Sequence, residues 1–496
     1  MNLHLIDALC IIPALLVLGV PAHGAGTRSD LDADGMLMVN GQRMLVLGCY
    51  ERPKTDEGLA ELAAAGFNLV YSKPTTEALD QLAAHNLWGW VNLGGNLNLS
   101  TAGDKRSQAL TATVNALRGH PALLVWEGPD EALWNIFHDV KARERTEYRH
   151  LRDAVAKRKA EAGGQDSSAL DGAWARFDAA HAEADYEREA PARQELYAQL
   201  GEQAPPAPYG MAEAPALAQV AAEGFRQGYY LLKRLDADHP LWFNHAPRNS
   251  VAALAEFNRA CDICGCDIYP VPPDVIGHSD LRDRSLAAVG SYTERMKLAG
   301  QGRPVWMVLQ GCGWYDLDSP ESQKAHPEQR ETGRRPTYDE TRFMAYCALV
   351  HGATGILYFG TFSIEDDCEL WTSIKRTVGE LAALRPVWEA PTLAWRPQAE
   401  LVECGSSGDH GLWVMPKKYA GDLYLLVVNE EREPRVFSLR GMEAYEGKSF
   451  HRLFEGDTVT VSDGALSGSI RAYGVSIYAG GSAFDARAAD LRARQK

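Results

Sequence analysis

Apolar residues along this chain fall into short continuous runs, most of them followed by a stretch with helical spacing. MLMVN at 36–40 and RMLVLGCY at 43–50 are split by Asn40-Gly41, a hairpin dipeptide. The second run ends in Tyr50-Glu51-Arg52-Pro53. The helical pattern DEGLAELAAAG leads to FNLVYSK at 67–73, and TTEALDQLAAHN leads to LWGWVNLGG at 87–95. A polar loop and SQALTATVNALRGH lead to PALLVWEGPDE at 121–131. LWFNHA at 241–246, CDICGCDIYP at 261–270, PVWMVLQGCGW at 304–314 and GILYFGTF at 355–362 complete the series. Eight strands alternating with helices predict an α/β fold, a parallel (β/α)8 TIM barrel over 35–390. Most of the runs are continuously apolar, as strands buried on both faces must be.

Two stretches break this rhythm. From 135 to 211 the chain is charge-rich with helical spacing, and Gly163-Gly164 can join two helices. The Pro-rich APPAPYG closes that insertion. A loop after a barrel strand emerges on the functional face, so the helices read as a solvated decoration, as a lid, or as an arm for homo-oligomer formation. From 391 to 482 short strands separated by turn residues predict an antiparallel β-sandwich domain. The tail DARAADLRARQK reads as disordered.

The N-terminus carries a short apolar run, IIPALLVLGV, too short to span a bilayer. Ala22 and Gly24 suit the positions before a cleavage point, so residues 1–24 read as a signal peptide despite the absence of Lys or Arg ahead of the run. GAGTRSDLDADG after it reads as disordered. A secreted or periplasmic location follows, and nothing later reads as a membrane span. The formal net charge is −16, which argues against nucleic acid or an anionic membrane as the main partner. Of nine cysteines, Cys261, Cys264 and Cys266 superficially resemble a metal cluster. Within CDICGCDIYP they read instead as buried strand thiols.

In such a barrel the chemistry sits at the carboxyl ends of the strands. Those ends carry Tyr50 and Glu51, Lys73, Asn92 and Asn96, Asp130 and Glu131, Asn244 and His245, Asp267 and Tyr269, Gln310 and Trp314, then Thr361 and Glu365. There is no phosphate-cradling glycine loop, no nucleophile elbow and no His-rich set, so neither a cofactor nor a metal is predicted. The mixture suits a carbohydrate substrate: aromatic faces stack on sugar C–H surfaces and amides bond hydroxyls. Among the tryptophans, Trp134 and Trp314 lie beyond the strands and are the better stacking platforms.

GHPALLVWEGPDEALW resembles the fourth-strand signature of clan A of the glycoside hydrolases, in which an apolar strand ends in Asn-Glu or Asp-Glu. Ala132 stands where that signature often has Pro. RPTYDETRFMAYCALVHGATGILYFG and GRPVWMVLQGCGW are similar to later strands of these enzymes. The resemblance implies Glu131 as general acid/base and Asp130 as a sugar-binding neighbour. A helix N-cap followed by an acidic residue is the competing reading of this pair. The resemblance also implies a nucleophilic Glu on strand seven, where this chain has Gln310. An amide cannot form the glycosyl-enzyme intermediate. Asp267 is then the leading second carboxylate, as base in an inverting mechanism, with Glu127 and Glu365 behind it and Gln310 as a substrate hydrogen-bonder. Three readings follow: a glycoside hydrolase, a barrel that binds glycans without cutting them, and an assembly role for the insertion. A carboxylate about 5–9.5 Å from Glu131 is the mark of the first. An exposed apolar stripe on the insertion is the mark of the third.

Overall fold

The computed structural model describes residues 27–493 except 52, 54, 101–102, 164–165, 207–209, 275–282 and 402–410. The expected signal peptide lies outside the described residues. Eight parallel strands close into a barrel: Val46–Cys49, Leu69–Ser72, Trp88–Asn92, Leu123–Glu127, Leu241–His245, Ile263–Ile268, Val305–Gln310 and Gly355–Phe359. They are numbered one to eight below. Each falls inside one of the eight apolar runs, in sequence order around the barrel.

Alternation along each strand sends side chains either inward or against the helices. The inward set is unusually aromatic. Trp88, Trp90, Trp242 and Trp306 fill the lumen with Leu69, Leu124, Val308 and Leu357, all buried. A barrel of this size has no pore, and these indoles are its packed floor. The outward residues join the helices in the largest cluster, which runs on into the C-terminal domain through Leu426, Val428 and Ile477.

At the amino end of the strands a small sheet closes the barrel. Leu37–Val39 and Gln42–Met44 pair across Asn40 and Gly41, both at positive φ, as their turn requires. The third strand of that sheet, Ser29–Leu31, falls in the stretch read from sequence as disordered. It is held because the Ser29 hydroxyl donates to the Leu124 carbonyl at 2.5 Å. Leu37, Val39 and Met44 belong to the lumen cluster, so this sheet is a plug.

Strand four leads into a 30-residue helix, Ala132–Glu161. Ser168–Ala182 and Tyr186–Leu200 pack back on it around their own small core of Leu151, Val155, Phe177 and Leu196. Ala214–Leu235 then returns to strand five. After the barrel, a three-stranded and a five-stranded antiparallel sheet form the sandwich, from Gln398–Leu401 to Val475–Ala479. Over its described residues the tail is ordered where disorder was expected. Asp485–Ala493 is a helix with Ala488 buried, packed on the barrel helix Glu369–Ala383. No helix among the described residues is long and apolar enough to cross a membrane.

Candidate active site

The site stands on the tryptophan floor at the carboxyl ends of strands one, three, four, five and six. Strand four supplies its deepest group. Glu127 points inward and is 1% exposed. Its carboxyl accepts from the Tyr50 hydroxyl at 3.0 Å, Trp90 Nε1 at 2.9 Å and Asn92 Nδ2 at 2.8 Å. Burial, and secondarily the charge of Asp130, push its pKa up to about 8 against the pull of those three donors. The rings of Trp90 and Trp242 meet Tyr50 edge-on, at centroid distances of 5.2 and 5.8 Å.

Just past the strand, Asp130 and Glu131 turn the chain into the long helix. Glu131 has φ 48°, a left-handed conformation that is uncommon for a residue with a side chain. Both of its backbone groups are held there. Its N–H donates to the Asn244 carbonyl at 3.2 Å, and its carbonyl accepts from Asn135 N at 2.9 Å. It occupies the helix N-cap position, yet its side chain makes no capping hydrogen bond. The carboxyl turns instead to Asp267 and is hydrogen-bonded to it. The competing reading of the pair puts the cap at Asp130 with Glu131 as the acidic residue after it; the cap position is Glu131, one residue later, and its carboxyl does not cap.

Asn244, ending strand five, ties the row together. Its Nδ2 donates to Asp130 Oδ1 at 2.9 Å and also to Asp267 Oδ1. The Tyr269 hydroxyl donates to Asp267 Oδ2 at 3.0 Å. Asn244 Oδ1, buried, accepts from no protein group. All four carboxyls of the row are raised. Burial is the first cause for each, and repulsion from Asp130 adds to it for Glu127, Glu131 and Asp267. Asp130 is open to solvent at the rim but crowded by protein on its inner side. Asp267 stands well above its usual range, held there also by Glu131 and by the hydrogen bond it gives to Glu131. The hydrogen bond between them raises Asp267 and lowers Glu131, so Asp267 is the harder of the two to ionise. Their contact is closer than the ~5–9.5 Å that separates the two carboxyls of retaining or inverting glycosidases.

Aromatic side chains wall the row. Tyr269 stacks on Phe359 at 5.7 Å and meets Trp314 edge-on at 6.1 Å. Trp134, half-buried on the first turn of the long helix, lies 5.8 Å from the Arg248 guanidinium. Tyr50, Asn92, Asp130, Glu131, Asn244, Asp267 and Tyr269 are thus brought together, with Trp314 on the wall and Trp134 on the rim.

Two expected site residues are placed elsewhere. His245 faces outward, 1% exposed, with Nε2 2.8 Å from Asn258 Oδ1 in the helix layer. Burial lowers its pKa to about 4. Gln310 is 1% exposed and its amide is already bonded to backbone. Its Nε2 donates to the carbonyls of Val271 at 2.9 Å and Cys312 at 3.0 Å, and its Oε1 accepts from Val271 N at 2.8 Å. It ties together the loops after strands six and seven. Glu365 is exposed and paired with Arg335 at 2.6 Å. Glu51 is bonded to the backbone of Gly360 and Thr361. Cys261, just before strand six, and Cys264 and Cys266 on it are buried against the helix layer, and all seven cysteines among the described residues are free.

The sequence reading passed over Trp90, Trp242, Phe359 and Tyr71. Tyr71, on strand two, is raised by burial and by the charge of Glu127. Its signal was available, since it ends an apolar strand as Tyr50 does.

No protein-family model matches the chain, and no curated protein matches it in sequence. The barrel-and-sandwich architecture is shared with solved structures of low sequence identity. A β-galactosidase from Bacillus circulans sp. alkalophilus superposes with a TM-score of 0.50 at 11% identity, over 88% of this chain and 99% of that chain. A glycoside hydrolase family 5 protein from Bacteroides vulgatus matches 91% of this chain and 92% of its own, at 11% identity and a TM-score of 0.49. At such identities the likeness concerns architecture. The case for chemistry rests on the carboxyl row.

Proposed function

We propose that this chain is a glycosidase, with the Glu131–Asp267 pair as its proton donor. The observation that carries the reading is this pair. Two hydrogen-bonded carboxyls, both raised, stand at the mouth of a barrel beside two more carboxyls and a wall of aromatic rings. Burial raises both carboxyls, the direction a general acid needs. The pair gives a proton to the glycosidic oxygen as the bond from the anomeric carbon to that oxygen breaks. A water then attacks the anomeric carbon, and its proton passes to a carboxylate of the row. Asp130, the most exposed of the four, is the one open to water. Glu127, protonated below about pH 8, lies on the floor and orients sugar hydroxyls. The unpartnered Asn244 Oδ1 takes another hydroxyl.

A second reading, binding without hydrolysis, is favoured by two observations, the first being that the Glu131–Asp267 contact is closer than the ~5–9.5 Å of a hydrolytic pair. The second is that the strand-seven position that resembles the clan's nucleophile is Gln310, and its amide is spent on backbone. One experiment separates the two. Wild type, Glu131→Gln and Asp267→Asn are assayed on a panel of aryl glycosides and polysaccharides, with product anomers followed by NMR and binding by calorimetry. The glycosidase reading expects turnover in the wild type and a loss of roughly 10²- to 10⁴-fold in each variant, with binding changed little. Binding without turnover in all three chains would establish the second reading.

A further inference from the structure

Away from the barrel mouth, Cys347, His351 and Glu430 bring three metal-ligand atoms within 4.8 Å of one another. We propose that they form a zinc site tying the barrel to the sandwich. Cys347 and His351 lie one turn apart at the end of the helix Tyr338–Val350. Glu430 directly follows the sandwich strand Asp422–Asn429. All three are buried, at 0%, 4% and 3% exposure. Glu430 Oε1 lies 3.1 Å from Cys347 Sγ and 2.8 Å from His351 Nε2.

The surroundings are those of a ligand set. His351 Nδ1 faces Glu294 Oε1 at 3.3 Å. A carboxylate on the far nitrogen is the usual device that fixes a metal-binding imidazole in its tautomer and orientation. The Trp413 ring covers that imidazole at a centroid distance of 3.7 Å. Gly290 forms the opposite wall. A Cβ there would stand 2.4 Å from His351 Nε2 and 2.6 Å from Glu430 Oε1, so only glycine leaves the donors their space. A cavity of about 410 Å³ lined by Glu294, Lys297, His351 and Trp413 reaches the imidazole side of the triad.

Thiolate, imidazole and carboxylate together suit zinc, at about 2.3, 2.0 and 2.0 Å, with the fourth position left to water. A tetrahedral ion sets such donors roughly 3.3–3.5 Å apart. The Glu430–Cys347 and Glu430–His351 distances therefore open by a few tenths of an ångström to receive it. On binding, the ion takes the place of the thiol proton, which leaves to solvent, and the neutral imidazole ligates through Nε2 in its Nδ1–H tautomer. Nδ1 keeps its proton toward Glu294.

Cobalt(II) is the probe, because a thiolate ligand gives it a charge-transfer absorption. The whole chain is dialysed against a chelator and titrated with Co²⁺, then with Zn²⁺. The expected result is one equivalent bound with that band, its loss in Cys347→Ser, and displacement by Zn²⁺. Glu294→Gln keeps all three ligands on the chain and should weaken Co²⁺ binding roughly 10- to 100-fold. No band at saturating Co²⁺, or a band that persists in Cys347→Ser, overturns the proposal. Should Cys347→Ser not fold, unchanged affinity in Glu294→Gln overturns it.

Discussion

Glu127 shows most plainly what one residue can cost and contribute. It is fully enclosed, and its pKa is pushed up to about 8 by burial and by Asp130. A carboxyl raised in the folded state favours folding at pH values below its unfolded pKa, near ~4.3, and loses that advantage as pH climbs through about 8. The wild type should therefore lose stability across that window, by at most roughly 5 kcal/mol from this group. In Glu127→Gln the loss should be smaller, so the two melting-temperature curves converge in acid, draw apart as pH rises toward about 8 and keep their full separation above it. Parallel curves would mean that the carboxyl does not titrate there. The direction of this side chain was not legible in the sequence, for a physical reason. LLVWE is buried on both faces, so no polar alternation marks which residues look inward. The same blindness sent His245 to the site by expectation and to the helix layer in fact. Asn92, Asn244, Asp130, Glu131 and Asp267 were legible because a polar residue ending an apolar strand has few reasons to be there except the mouth. Gln310 also ends a strand, but its partner Val271 is 39 residues away in sequence, and no local pattern announces such a contact.

At the scale of elements, the eight strands were legible because each is a dense apolar run closed by a polar end. Short strands with an unusual partner were not. Ser29–Leu31 contains two charged or polar residues in three and is a strand only because the plug needs a third member. The helix Asp485–Ala493 looks solvated and is held by docking. The arm formed by the three helices after strand four was legible as helical, but its independence was not. Its own core contains a buried ion pair. Arg193 is 1% exposed and bonded to Glu147 through Nε at 2.6 Å, while the Tyr197 hydroxyl donates to the same oxygen at 2.8 Å. None of the exposed large apolar side chains among the described residues falls within 135–211. The arm spends its apolar surface on itself. Removing one partner of such a pair strands the other without a counter-charge, which costs about 3–5 kcal/mol. Glu147→Ala should therefore loosen the arm and leave the barrel intact. Hydrogen exchange should rise across 140–200 and stay unchanged in the barrel strands. Equal change in both regions would show the arm to be one cooperative unit with the barrel.

Across the whole molecule the barrel and the sandwich behave differently, because they share a core. The largest apolar cluster runs from lumen-backing strands through the barrel helices to Tyr424, Leu426, Val475 and Ile477 of the five-stranded sheet. Arg342 crosses that seam. From the helix Tyr338–Val350 it bonds Glu380 of the neighbouring helix through Nε at 2.7 Å and donates through Nη1 to the Val475 carbonyl of the sandwich at 3.0 Å. Its guanidinium also lies over the rings of Tyr346 and Phe454, at 5.0 and 5.7 Å. Glu380 is 1% exposed at its side chain, so losing Arg342 leaves a buried carboxylate bonded only by hydroxyls such as that of Tyr338. We expect Arg342→Ala to cost about 3–5 kcal/mol by the same reasoning as for the arm, but with a global signature. Calorimetry of the wild type should show the barrel and the sandwich unfolding together. The variant should either lower that shared midpoint or split it, with the sandwich melting first. A variant that melts with the wild type would show that apolar contacts alone hold the seam, and that the buried pair adds nothing to it.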